Sequence, residues 1–213
     1  MTVIFEKTNA HCTLKLAEFE EEADILREKI KNDLQPEELK YYENIKNKKR
    51  KKEWLGTRIL LKEILGYYEP VKYDSSGNPF LDGNMQISIT HSGNLVGITI
   101  NKKNEETGID TEIISDRILR TSHKFISEKE LAELNSDKNK LEKIYLHWCG
   151  KEVLFKIKGD GGYDFKKDFF VIIPKIPKNQ GTVKAYIGKN ESYRLNYKFI
   201  NSGKNKIILV WKS

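Results

Sequence analysis

Cysteine is nearly absent from this chain of 213 residues. Cys12 and Cys149 lie far apart, and neither stands in a CxxC or Cys/His spacing. That excludes a disulfide scaffold, gives no zinc signature, and fits a reducing cytoplasm. Long apolar runs are missing as well. Nothing approaches the roughly 20 apolar residues that span a bilayer, so a soluble protein with no membrane partner is expected. The opening Met1-Thr2-Val3-Ile4-Phe5-Glu6-Lys7 has an early acid and no long apolar region, and reads as a first strand rather than a signal peptide. Apart from one basic run, no tract is low in complexity.

That run is Lys46 to Lys52, in which six of seven residues are basic. It carries much of an excess of 38 Lys plus Arg over 31 Asp plus Glu, a formal charge of +7. Such a balance favours anionic partners by long-range attraction: nucleic acid, a phosphorylated cofactor or an acidic protein. A solvated helix face would look the same. The length allows one large domain or two of about 100 residues.

Leu16 to Ile30 has helical spacing with acidic decoration, and Pro36 before Glu37 and Glu38 marks a helix start with carboxylates at the positive dipole end. Trp54, Leu55, Arg58, Leu61 and Leu65 recur at three- and four-residue steps up to Gly66, predicting an amphipathic helix. Asp74 to Pro79 is turn chemistry. Gln86 to Thr90 and Leu95 to Asn101 read as strands joined at His91-Ser92-Gly93-Asn94, and Gly108 to Ile113 as a further strand. Ser127 and Glu130 have capping-box spacing. Lys140 to Lys158 reads as a long helix ended by Gly159-Asp160-Gly161-Gly162. Phe169 to Ile173, Thr182 to Ile187, Tyr193 to Ile200 and Lys206 to Trp211 look like antiparallel strands. Helices thus run into strands twice, with a seam near Asn101 to Thr107 and no sequence identity between the blocks. The order predicts an α+β fold, divided at residues 1–103 and 104–213.

The chemistry concentrates on two elements. On a strand, Asp110 and Glu112 project from one face, close enough to share a cation; acids at this spacing also occur on plain exposed strands. On the long helix, Trp148, Glu152 and Lys156 share a face, with Lys151 about a quarter-turn away. A surface Glu-to-Lys pair is the bland reading, and Trp148 on the same face argues against full exposure. If that face packs on the strand, Glu152 becomes a third oxygen ligand and Lys156 a phosphate clamp. Three acids without histidine or thiolate suit magnesium better than zinc. His91, where Gly93 lets backbone approach a ligand, is placed to donate to phosphate. His11, His123 and His147 have no comparable setting.

Ile89-Thr90-His91-Ser92-Gly93, Gly108-Ile109-Asp110-Thr111-Glu112 and Trp148-Cys149-Gly150-Lys151-Glu152-Val153-Leu154-Phe155-Lys156 resemble the three signature blocks of the 4′-phosphopantetheinyl transferases. Their order and separations are similar to the larger monomeric, surfactin-synthetase-activating type. Arg50 to Arg58 resembles the family's basic helix, and Gly77-Asn78-Pro79-Phe80-Leu81 its Gly-Lys-Pro turn. The resemblance spans roughly residues 45 to 160.

It implies transfer of the phosphopantetheine arm of coenzyme A to a serine of an acyl or peptidyl carrier protein, releasing adenosine 3′,5′-bisphosphate. It also implies two similar α+β halves in pseudo-twofold relation with the coenzyme in the cleft between them. By the family pattern Asp110, Glu112 and Glu152 bind magnesium, with manganese as the alternative. Lys156 contacts phosphate with Lys151 as a helper, Thr90 and His91 hold the coenzyme's phosphates, and Arg50 and Arg58 act from the basic helix. Asn78 replaces the usual lysine of the turn, so that contact is backbone only or absent. Thr90 keeps a hydroxyl where serine is frequent.

In-line attack by the carrier serine needs no enzyme nucleophile. Its proton goes to Glu152, directly or through water, or to Glu130, which aligns with a family acid. A basic enzyme gains encounter rate with an acidic carrier. Two rival readings are a non-catalytic coenzyme A or nucleotide binder, disfavoured by the three intact carboxylates, and a nucleic-acid binder using Lys46 to Lys52, which leaves the acidic pair unexplained and predicts steep salt dependence.

Overall fold

A computed structural model describes residues 1–132, 134, 138–159 and 161–213. Asp160, in the expected helix terminator, lies outside the described residues. The fold is mixed α+β, in two compact units, Met1–Thr107 and Gly108–Ser213.

In the first unit a four-stranded antiparallel sheet has the order β1-β2-β6-β5, with β1 Thr2–Thr8, β2 Cys12–Glu18, β5 Gln86–Ser92 and β6 Leu95–Asn101. Between β2 and β5 run α1 Ala23–Ile30, α2 Pro36–Asn44, α3 Lys48–Leu65 and a small ribbon of β3 Lys72–Tyr73 and β4 Pro79–Phe80. The helix expected to begin at Leu16 begins at Ala23. Leu16 and Phe19 stand three apart and imitate a helical step, yet Leu16 and Ala17 pair with both β1 and β6 and are wholly buried. Two ladders and burial outweigh that local spacing. His91 and Ser92, expected in the turn, extend β5 opposite Val96 and Leu95. Gly93, at φ +62°, opens the turn in a conformation that other residues resist.

The long α3 packs on the sheet through β2 and β6. A Cβ at Gly56 would stand 3.1 Å from Val96 Cγ2, so the smallest residue permits the close approach.

In the second unit a five-stranded sheet has the order β7-β11-β10-β9-β8: β7 Gly108–Ile113, β8 Phe169–Ile172, β9 Gln180–Ile187, β10 Glu191–Ser202 and β11 Asn205–Lys212. Helix α4 Glu128–Ala132 is short, and α5 Lys140–Lys158 packs across β7, β8, β9 and β11. Gly159 ends α5 at φ +69° and donates its N–H to Phe155 O. Within each unit, the strand preceding the long helix pairs antiparallel with the unit's last strand, which pairs with the one before it: β2-β6-β5 and β7-β11-β10. The same topology recurs without sequence identity.

The β7–α5 contact is tight at Gly108, where a Cβ would lie 3.0 Å from both Val153 Cγ1 and the Val153 carbonyl oxygen. Backbone cannot yield as a side-chain end can, so Gly108→Val is expected to cost about 2–3 kcal/mol through overpacking. Urea unfolding measures it, and a loss below about 0.5 kcal/mol, the range of neutral surface changes, would show that the strand shifts freely. Among the described residues no helix is long and apolar enough to cross a membrane.

Candidate active site

Alternation along β7 puts Asp110 and Glu112 on one face, opposite Val210 and Ile208 of β11 in register. Helix α5 lies against β7 and brings Trp148, Glu152 and Lys156, one turn apart, to the same region. Asp110 is 5% exposed, and its Oδ1 accepts a hydrogen bond of 2.8 Å from Lys156 Nζ. The same ammonium donates to Ile109 O at 2.9 Å. Burial, then the charges of Asp110 and Glu112, push the Glu152 carboxyl up to about 7 against the opposing pull of Lys156. Cys149 joins this neighbourhood: burial, the same two carboxylates and a hydrogen bond to Asp110 push its thiol well up. Both cysteines are free and buried.

Glu112 and Glu152 open onto a cleft of about 780 Å³ within this unit. Its apolar wall includes Phe125, Trp148 and Phe165, with the Trp148 ring 4.8 Å from Phe125 and 5.8 Å from Phe165. Arg117, Lys124 and Lys166 supply positive charge along the same cleft. An anionic group on an apolar arm finds both its complements there.

Hard oxygen donors without imidazole or thiolate suit magnesium. The repulsion that raises Glu152 is the condition a divalent cation relieves, so the chemistry of the donor set fits. The cage is not preformed. Lys156 occupies one Asp110 oxygen, and among the described residues no three His, Cys, Asp or Glu side chains form a group able to hold an ion as they stand.

Glu130 and Lys151 are brought together in one buried network. Lys151 is wholly buried, with its ammonium on Phe125 O at 2.7 Å, Phe165 O at 2.9 Å and Glu130 Oε2 at 3.0 Å. Burial lowers its pKa, partly opposed by Glu130. A contact to coenzyme phosphate, expected of this lysine, would take an ammonium already enclosed by three acceptors. Glu130 also accepts from Ser127 N–H and Oγ, closing the expected capping box, and Oε1 lies 3.3 Å from His147 Nδ1. Burial raises its pKa, but His147, Ser127 and Lys151 more than reverse this and hold it at about 2. His147, set aside in the sequence, is 3% exposed and belongs to this network.

The remaining expected residues lie in the first unit. His91 Nε2 is 2.9 Å from Thr57 Oγ1, and the Thr57 hydroxyl donates to Glu53 O. A hydroxyl has one proton, and with that proton on Glu53 O the geometry fits a His91 that donates from Nε2. The bond ties the histidine block to the basic helix through Thr57, which residue-type reasoning passed over. Thr90 is 3% exposed on β5. Arg50 lies in the first turn of α3, half-exposed and 3.4 Å from Glu53, in a turn with basic residues and no acid. Cations at the positive end of a helix dipole are unfavourable, and an anion would relieve them. Asn78 holds its own turn, donating from N–H and Nδ2 to Asp74. Arg58, expected to meet the coenzyme, is instead 3% exposed, 3.3 Å above the Trp54 ring and bonded to Glu38 Oε1 at 2.8 Å. Tyr68 completes that buried pair by donating to Glu38.

A protein of Haemophilus influenzae named "Putative 4'-phosphopantetheinyl transferase" is 33% identical over 91 residues, 40% of this chain and 39% of that protein. The chain therefore matches well under half the length of that relative. Independently, residues 106–206 match the family model described as the 4'-phosphopantetheinyl transferase superfamily. That stretch contains Asp110, Glu112, Glu130, Lys151, Glu152 and Lys156. Over residues 106–206, the stretch that holds the candidate site, this chain is similar to the 4′-phosphopantetheinyl transferase superfamily.

Proposed function

We propose that this protein transfers the 4′-phosphopantetheine arm of coenzyme A to the serine of an acyl or peptidyl carrier protein, releasing adenosine 3′,5′-bisphosphate. The carrying observation is that Asp110 and Glu112 share one face of β7 against α5, with Glu112 and Glu152 lining an aromatic cleft. Asp110, Glu112 and Glu152 would hold magnesium. When bound, the ion would offset the charge gathering on the departing 5′-phosphate of adenosine 3′,5′-bisphosphate.

Lys156, whose ammonium reaches Asp110 Oδ1, would pair with a phosphate oxygen of the coenzyme. Glu152 is the better placed base of the two candidates: it lines the cleft, whereas Glu130 is engaged by Lys151 and Ser127. The serine oxygen attacks the phosphorus that bears the pantetheine, Glu152 takes the serine proton, and the bond to the departing nucleotide phosphate breaks. The amide-rich arm lies along Phe125, Trp148 and Phe165. In the first unit His91, Thr90 and Arg50 serve the coenzyme's phosphates, and Arg58 supports the fold of α3. The chain acts as a cytoplasmic monomer of the larger family type, and its positive balance draws an acidic carrier.

Mass spectrometry of an apo carrier incubated with coenzyme A, magnesium and this chain tests the reading. A gain of one phosphopantetheine, lost on chelation, is expected. Coenzyme A binding by calorimetry without modification of fatty-acid, polyketide or peptide-type carriers would instead identify a binding protein.

A further inference from the structure

The sequence and family reading make Lys151 a helper at phosphate; its surroundings point elsewhere. Taking an ammonium out of water costs several kcal/mol, offset only when its hydrogens are satisfied. Lys151 has three N–H groups and three acceptors, each on a different segment. Phe125 follows a short 3-10 turn at 122–124, Glu130 is on α4, and Phe165 lies between α5 and β8. The two residues that offer backbone oxygens also present their rings to the cleft and flank Trp148. His147 Nδ1 lies 3.3 Å from the other Glu130 oxygen, without hydrogen-bond geometry between them.

We infer that Lys151 is a positioning residue: its ammonium pins the Phe125 and Phe165 segments of the cleft wall, with Glu130 as its fixed counter-charge rather than as a base. The inference rests on the proposed transfer only for what the wall is for, namely to hold the coenzyme's arm in register with Glu152. The pinning itself belongs to the free protein. Lys151→Met keeps the apolar stem and removes all three bonds, leaving two carbonyls to find water.

Hydrogen exchange on the free protein, read by mass spectrometry, tests this. Lys151→Met is expected to speed exchange about tenfold in 122–127 and 163–167, with β9, β10 and β11 unchanged, since local opening is set by local contacts. In transferase assays KM for coenzyme A should rise about tenfold, about 1.4 kcal/mol, while kcat stays within about threefold. A lysine that only stabilised the fold would lower the active fraction and so kcat, leaving KM alone. If Lys151→Met does not fold, Glu130→Gln, which keeps the shape and removes the counter-charge, should loosen the same two segments. Unchanged exchange there in the folded variant, or an unchanged KM in an active enzyme, overturns the inference. Loosened segments in a chain whose unmutated form modifies no carrier would uphold the pinning and sink the transferase reading.

Discussion

Glu152→Gln is expected to lower carrier modification about a thousandfold, roughly 4 kcal/mol of transition-state stabilisation, while making the metal-free protein more stable. The two effects have one cause. Burial and the charges of Asp110 and Glu112 raise the Glu152 carboxyl from 4.5 to about 7, so its ionised form is worse off folded than unfolded. A raised carboxyl contributes nothing unfavourable below about pH 4.5, progressively destabilises as pH rises toward 7, and costs its full amount above that. The glutamine is neutral throughout. Its advantage should therefore appear above about pH 4.5 and level off near 7, at about 1–3 kcal/mol after allowance for partial solvent screening. Urea unfolding across this range measures it. Magnesium should raise the melting temperature of the unmutated chain more than that of the variant, because binding to the folded state alone stabilises it. Equal stability of the two proteins at pH 8 would mean that the three carboxylates do not press on one another.

The reach of the sequence can be judged residue by residue. Alternation gave Asp110 and Glu112 a common face, and four-residue spacing did the same for Trp148, Glu152 and Lys156; both are local rules that hold whatever packs nearby. Their convergence depends on the tight β7–α5 contact at Gly108 and Val153, which no periodicity announces. A charge in sequence suggests solvent or ligand, and the enclosure of Lys151 and Arg58 by dedicated partners is something only the folded chain displays. In α5 the signal was weak for a further reason: Lys143, His147 and Lys151 are buried along with its apolar residues, so the helix lacks a plain polar face. Phe125 and Phe165 come from connecting segments without regular spacing, and only the fold brings both rings against Trp148.

Acidification is expected to remove about 3 kcal/mol of stability from the second unit through Glu130 alone, a shift from 4.5 to about 2 taken at about 1.36 kcal/mol per unit. A depressed carboxyl contributes its full stabilisation above its unfolded value and loses it as pH falls toward its folded value. The loss should thus begin near pH 4.5 and finish near 2. Little of Glu130 reaches solvent, its side chain being 13% exposed, so salt screening should blunt the effect only slightly. Glu130→Gln leaves Lys151 enclosed without its counter-charge, and should cost about 3 kcal/mol at pH 7 while flattening the acid limb between pH 4.5 and 2. Denaturant unfolding of both proteins over that range distinguishes two physical cases. If the variant keeps the limb of the unmutated chain, burial of the carboxylate cancels what its partners contribute. If it loses the limb, the Glu130 contacts with Lys151, His147 and Ser127 more than repay the cost of taking a carboxylate and an ammonium out of water.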